Sequence, residues 1–323
     1  MLECRIRKKL GEFALDLDFT AEQGITALMG ASGSGKSMTL RCVAGVERPD
    51  EGEITLDGVR LFDSGRKINL PPQRRNTGFL FQDYALFPNM TALQNIMTGA
   101  RGKPRRERAR AAEELAEAFH ITPHLKKYPY QLSGGEKQRA ALARCLAASP
   151  DILMLDEPFS ALDSHLRWEL ELEMAEVFKR FRKTVLYVSH NRDEVYRLCD
   201  SIIILNGGRN EAGGKKWELF KRPRTVQAAR LTGCKNIFEF EGRLIGIRAN
   251  YIVPAHLAKP RDMVFPFELI TEIEDAFTYI LMVRVDGLPP LRWEMTKEKR
   301  EKLRELPQKL AFPQEHILLL DRR

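Results

Sequence analysis

Residues 30–37 read Gly30-Ala31-Ser32-Gly33-Ser34-Gly35-Lys36-Ser37, a run that fits G-x-x-x-x-G-K-[ST]. Its glycines let the backbone curl until the N–H groups converge on phosphate oxygens, and a helix opening at such a loop adds its positive end. Lys36 suits the β- and γ-phosphates of a nucleoside triphosphate, the Ser37 hydroxyl suits Mg²⁺, and Met38 carries the run into the helix. A second run, Ile152-Leu153-Met154-Leu155-Asp156-Glu157-Pro158, is an apolar strand ending in two acids. Desolvating adjacent carboxylates is costly, so such a strand has no structural use for them. Asp156 suits Mg²⁺ held through its water shell. Glu157 suits a water that must be oriented or deprotonated. A third run, Leu132-Ser133-Gly134-Gly135-Glu136-Lys137-Gln138-Arg139, sets a serine and two glycines before a helix over 138–147. Its amides and the Ser133 hydroxyl form a second anion-binding helix end, or simply an N-cap.

The elements around these runs are legible. A strand over 25–29 precedes the lysine loop, and the helix after it passes Leu40 and Val43 to Gly45, a C-terminal cap. Compact apolar runs at 25–29, 78–81, 152–155, 185–189 and 202–205 read as buried parallel strands. Alternating with amphipathic helices to about residue 230, they predict an α/β fold with a mainly parallel sheet. Leu166, Leu170, Met174, Val177, Phe178 and Phe181 recur at helical spacing and should pack on that sheet. Residues 88–150 interrupt the strand rhythm as an inserted helical subdomain. Past residue 224 the character changes to short strands (244–248, 277–285, 291–295, 316–320) and a charged helix over 297–305. The expected domains are 1–233 and a small β-rich 234–323.

Composition narrows the class. The 323 residues are 43% apolar and 30% charged, which is globular. No apolar stretch approaches the ~18–20 residues needed to cross a bilayer. The start, Met1 to Arg5, lacks a signal-peptide core, so residence in the cytoplasm is expected. Five scattered cysteines without Cys-x-x-Cys argue against a disulfide framework or zinc site and predict buried thiols. The net charge of +8 concentrates in Arg101, Lys103, Arg105, Arg106, Arg108 and Arg110. Ala109, Ala112, Ala116 and Phe119 follow at helical spacing, so a solvated helix face is expected rather than a nucleic-acid surface.

Residues 132–139 resemble the signature sequence of ATP-binding cassette (ABC) transporters, and the other motifs stand in that family's order. The resemblance implies a P-loop ABC ATPase core with an OB-like (TOBE-like) C-terminal domain. It makes Gln82 the Q-loop glutamine, which contacts Mg²⁺ and the water. Ser160-Ala161-Leu162-Asp163 resembles the D-loop that touches the opposite subunit, and His190 the switch histidine at the γ-phosphate. Phe13 is the nearest aromatic to stack adenine, though closer to the lysine loop than the family pattern. It reads equally as a core residue of a strand over 13–17.

The same resemblance implies a homodimer in which Ser133, Gly134, Gly135 and Glu136 of one chain cap the ATP held by the other's lysine loop. It implies membrane permease subunits docked near Asp83-Tyr84-Ala85-Leu86-Phe87-Pro88, a segment that otherwise packs the helical subdomain. A periplasmic or extracellular substrate-binding protein would act through the permease. Among importers the chain looks most like the molybdate or tungstate ATPases, through residues 61–64, 70–75 and 246–249. Sulfate, ferric iron, polyamine and sugar importers share most of these features. A soluble ABC ATPase acting on nucleic acid would carry long coiled-coil insertions or a second cassette. A non-hydrolysing module would not need Lys36, Asp156, Glu157 and His190 together.

Overall fold

The computed structural model describes all residues except Arg101, Lys103, Ala161, Asp163, Arg322 and Arg323, and all but the side chain of Ser164. Contacts divide the chain into two compact units, Met1–Lys216 and Trp217–Arg323.

In the first unit the strands are β1 (Leu2–Leu10), β2 (Phe13–Ala21), β3 (Gly24–Gly30), β4 (Glu51–Leu56), β5 (Val59–Asp63), β6 (Ile68–Asn69) and β7 (Thr77–Leu80). They continue as β8 (Ile152–Asp156), β9 (Thr184–Val188), β10 (Ser201–Asn206) and β11 (Arg209–Lys215). Among the described residues they form one sheet in the order β6-β5-β4-β1-β2-β11-β10-β3-β9-β8-β7. From β10 to β7 every pairing is parallel. From β6 to β2 the strands run antiparallel. The parallel half holds the five apolar runs legible in the sequence. In the antiparallel half β1 alternates buried Leu2, Cys4 and Ile6 with exposed Glu3, Arg5 and Arg7, as a strand with one wet face must.

The helices are α1 (Lys36–Ala44), α2 (Ala92–Gly99), α3 (Arg105–Ala118), α4 (Gly134–Ala147), α5 (Ser164–Phe181) and α6 (Arg192–Leu198). α1 ends where expected: Gly45 takes φ 78° and its N–H reaches Cys42 O. α2, α3 and α4 pack on one another as the inserted helical subdomain. Ala112, Ala116 and Phe119 are buried, and Arg105, Arg106 and Arg110 lie in solvent. Arg101 and Lys103 fall outside the described residues. In α5, Leu170, Met174 and Phe178 are buried as the spacing predicts. All five cysteines are free and buried. Burial pushes the Cys145 thiol up to about 11 and that of Cys42 to about 12.

The second unit is β-rich, with three sheets of three strands among the described residues. They pair Arg243–Ile247 with Asn236–Phe240 and Leu318–Leu319, Lys309–Phe312 with Val253–Pro254 and Met263–Pro266, and Thr278–Arg284 with Glu268–Glu274 and Leu291–Thr296. Leu281, Val283, Trp293 and Phe312 centre its core, and Trp293 Nε1 donates to Ile252 O at 2.9 Å. The charged helix is Lys297–Lys302, shorter than 297–305, because Arg304 turns into the left-handed region at φ 46°. Among the described residues no helix is long and apolar enough to cross a membrane.

Candidate nucleotide site

Parallel pairing gathers the candidate residues at one edge of the sheet, past the carboxyl ends of the strands. Register sets Leu28 beside Val188, Val188 beside Asp156, and Leu155 beside Leu80. The loops leaving these four neighbouring strands carry Gly30 to Lys36, Glu157, His190 and Gln82.

The loop after β3 exposes Ala31, Ser32 and Gly33 and buries Ser34. Gly35 caps α1 at φ 102°, a conformation open to glycine. Lys36 is 8% exposed, and its Nζ donates to Gly30 O and Ala31 O, both at 2.9 Å. Burial lowers its pKa, opposed by Glu157 and Asp156. Ser37 Oγ donates to Asp156 Oδ1 at 2.9 Å, joining the start of α1 to the end of β8. Asp156 is buried, which raises its pKa, while the Ser37 hydroxyl pulls it back and neighbouring Glu157 adds to the rise. Met38 is half-buried against the sheet core.

Glu157 sits in the left-handed region at φ 49°, with its N–H on Val188 O at 3.0 Å and its carbonyl accepting from Ser160 Oγ at 3.0 Å. A side chain is rarely held there, and such strain clusters at functional sites. Its Oε2 lies 3.4 Å from Nδ1 of the largely exposed His190. Gln82 is exposed in the turn after β7, which ends at Leu80 rather than at residue 81.

The Ser133 run adopts the N-cap form. α4 begins at Gly134, four residues before the expected 138, because Ser133 Oγ accepts from Glu136 N while Glu136 Oε2 accepts from Ser133 N. His124 Nε2, 3.0 Å away, and Lys127 flank the Glu136 carboxylate, and with the Ser133 N–H they hold its pKa down against burial. Ser133 and Gly134 remain exposed; Gly135 is buried, a side chain there meeting Leu166 at 3.0 Å. Phe13 opens β2 and packs on the core with its ring against Gly35, which brings it to the lysine loop without deciding between its two readings. Asp163 and Ala161 fall outside the described residues.

The donor set fits a hard cation and a phosphate. Ser37 and Asp156 offer oxygens of the kind Mg²⁺ takes, and Ser34 Oγ is buried at the loop without a hydrogen-bond partner. Two residues escaped the sequence reading. Glu194 in α6 and Glu171 in α5 are each 3% exposed. Glu194 accepts from the Tyr187 hydroxyl, and Glu171 pairs with Arg197 at 2.6 Å. Their spacing in sequence carried no signal.

Fold and site together define a P-loop nucleotide-binding protein. A family profile described as ABC transporter matches residues 14–160. The chain is 44% identical over 223 residues to the molybdenum import ATP-binding protein ModC of Paramagnetospirillum magneticum, a match covering 69% of this chain and 61% of that protein. To the sulfate/thiosulfate import ATP-binding protein CysA of Synechococcus elongatus it is 35% identical over 305 residues, covering 92% of this chain and 84% of that one. A dimeric ATP-binding cassette solved in a post-hydrolysis state with ADP and Pi superposes with a TM-score of 0.58 at 30% identity, covering 67% of this chain and 99% of the other. The chain belongs to the ABC transporter family, as an ATP-binding cassette ATPase.

Proposed function

We propose that the chain is the ATP-hydrolysing subunit of a membrane importer for an oxyanion, molybdate or tungstate. The observation that carries the ATPase reading is the junction of Ser37 and Asp156 at 2.9 Å, beside Glu157 and His190 at 3.4 Å. One nucleotide-binding loop, one buried acid and one strained acid share a single edge of the sheet. Lys36 and the amides of Gly30 to Ser37 bind the phosphates, and Phe13 lies against the base. Ser37, Asp156 and Gln82 hold Mg²⁺, which neutralises charge on the phosphate oxygens when bound. Glu157 accepts the proton of the attacking water, and His190 orients Glu157 and meets the γ-phosphate.

The chain works as a homodimer, Ser133, Gly134, Gly135, Glu136 and Asp163 of one copy completing the site of the other. Nucleotide then acts as an adhesive that favours the closed pair by its differential affinity. Separate permease subunits carry the cargo path, a reading supported by the likeness to import ATP-binding proteins. The chain sits on the cytoplasmic face, with 234–323 as its regulatory or dimerisation domain. Molybdate rests on the 44% identity to a molybdenum import protein. The broader match to a sulfate/thiosulfate import protein favours sulfate as the second reading.

The test is ATPase stimulation of the chain reconstituted with its permease and binding protein, across molybdate, tungstate, sulfate and ferric iron. Molybdate or tungstate should stimulate. Glu157→Gln should lose on the order of 10²–10⁴ in rate, the usual worth of a positioned base. Stimulation by sulfate or iron alone overturns the cargo, and an unchanged Glu157→Gln rate removes Glu157 from the chemistry.

A further inference from the structure

The turn after β7 holds two consecutive side-chain-bearing residues in the left-handed region, Tyr84 at φ 62° and Ala85 at φ 44°. Such residues persist there only where the surroundings over-determine the backbone. Arg144 supplies part of that constraint. Its Nη2 donates to Tyr84 O at 2.8 Å and its Nη1 to Ala85 O at 2.5 Å, so one guanidinium clamps both strained peptides. The same group lies over the Phe87 ring, 5.8 Å from its centroid. Asn95 fixes the far side: its Oδ1 accepts from Phe87 N at 2.8 Å, and its Nδ2 donates to the carbonyls of Phe87, Met90 and Thr91 at 3.1 Å each. Gln82 stands exposed on this turn, closed behind it by Tyr84 N donating to Phe81 O at 2.9 Å.

The backbone of Arg144 is held against α2. It lies in the last turn of α4, and the first carbon of a side chain at Gly99 of α2 would fall 2.0 Å from its carbonyl oxygen. α2 and α4 therefore touch backbone to backbone at this point. At its other end α4 starts at Ser133. One helix thus clamps the Gln82 turn at its finish and presents the serine-glycine run at its start.

We propose that Arg144 is a positioning residue that sets the Gln82 turn against α4, so that Gln82 and Ser133 of one chain move as one body. The proposal rests on the ATPase reading. Lysine cannot replace the clamp, because it is a point donor without the planar fork.

The test is a double-mutant cycle on the full chain, read as steady-state ATPase at saturating Mg-ATP. Arg144→Lys should lower kcat roughly ten- to a hundredfold, as small misplacements of a site do, and leave the KM for ATP within about twofold. Gln82→Ala should lower kcat too, and the double variant should fall no further than Gln82→Ala alone. Ala85→Gly, which removes the penalty at the second strained position, should restore most of the loss in Arg144→Lys. Phe87→Leu, an exposed change that removes only the ring under Arg144, should show the same masking at smaller amplitude; it decides the question if Arg144→Lys does not fold. Losses that multiply in the double variant, or an unchanged kcat in Arg144→Lys, overturn the proposal. A wild-type chain without ATPase activity, or a Gln82→Ala chain matching wild type, refutes the underlying reading instead.

Discussion

Replacing Arg75 by methionine tests how the lysine-bearing helix is held. Arg75 is 2% exposed and ends all of its hydrogen bonds on acceptors of α1 and its surroundings. Nη1 donates to Cys42 O and Val43 O at 2.8 Å, Nε to Leu70 O at 2.8 Å, and Nη2 to Asn69 Oδ1 at 2.9 Å. The guanidinium thus caps the negative end of the helix whose other end carries Lys36. Burial lowers its pKa, yet an arginine keeps its charge. Methionine retains the chain length and strands three acceptors, since Cys42 O still accepts from the Gly45 N–H, each costing about 1–3 kcal/mol. Relief of the buried charge returns part of that, leaving about 3–5 kcal/mol, as for other broken buried charge contacts. At ~2–4 °C per kcal/mol for a unit of this size, the melting point should fall roughly 10 °C. Scanning calorimetry of the full chain reads this, with the Met1–Lys216 transition assigned by its rise on adding nucleotide. A side chain at Gly45 would set its first carbon 2.5 Å from Arg75 Nε, so Gly45→Ala should cost less in the Arg75→Met background than in wild type. A fall below about 3 °C, or one confined to a transition that nucleotide does not move, refutes the reasoning.

Two further outcomes are expected. Burial raises the Glu194 carboxyl, with the charge of Glu171 adding to the rise and the Tyr187 hydroxyl opposing it. A carboxyl raised on folding gives stability that is complete below its unfolded value of ~4.3 and is lost as pH rises through the folded value. Glu194→Gln should therefore melt above wild type near pH 8 and level with it near about pH 4.5; a gap of the same size at both pH values speaks against a raised carboxyl. In a mixed dimer of one Lys36→Ala chain and one Ser133→Arg chain, both defects should fall in one pocket and leave the other able to occlude ATP. Nucleotide trapping that finds both pockets damaged rules out the shared-site arrangement.

What could be read from residues alone were features whose physics is local. β3 and its loop are an apolar run followed by glycines, and the Gly45 cap needs only a residue tolerant of φ 78°. The helix over 164–181 shows in the spacing of its apolar side chains. Apart from a strand over 13–17, the start of β2, the antiparallel half stayed hidden because its strands alternate. Arg5 pairs with Asp18 at 2.9 Å and Arg7 with Asp16 at 3.2 Å across the wet face, so neither strand forms a compact apolar run. The Ser133 run was read in both of its forms, and the start of α4 moved back to Gly134 once the cap formed with Glu136. Arg75 and Arg144 were invisible for a different reason. Their contacts to Cys42, Val43, Tyr84 and Ala85 end on backbone carbonyls tens of residues away, which carry no side-chain identity to recognise. The bend at Glu157 was equally silent, since a left-handed residue announces itself in sequence only when it is glycine or asparagine.

That bend at φ 49° sets this chain's own interest against its stability. Glycine at position 157 would relax a conformation that costs of order 1–3 kcal/mol for any other residue. A selection for heat tolerance alone would drift toward that smaller residue and, on the proposed role of Glu157, lose turnover. With Glu157 in its proposed role, libraries built to harden this scaffold should hold the position constant.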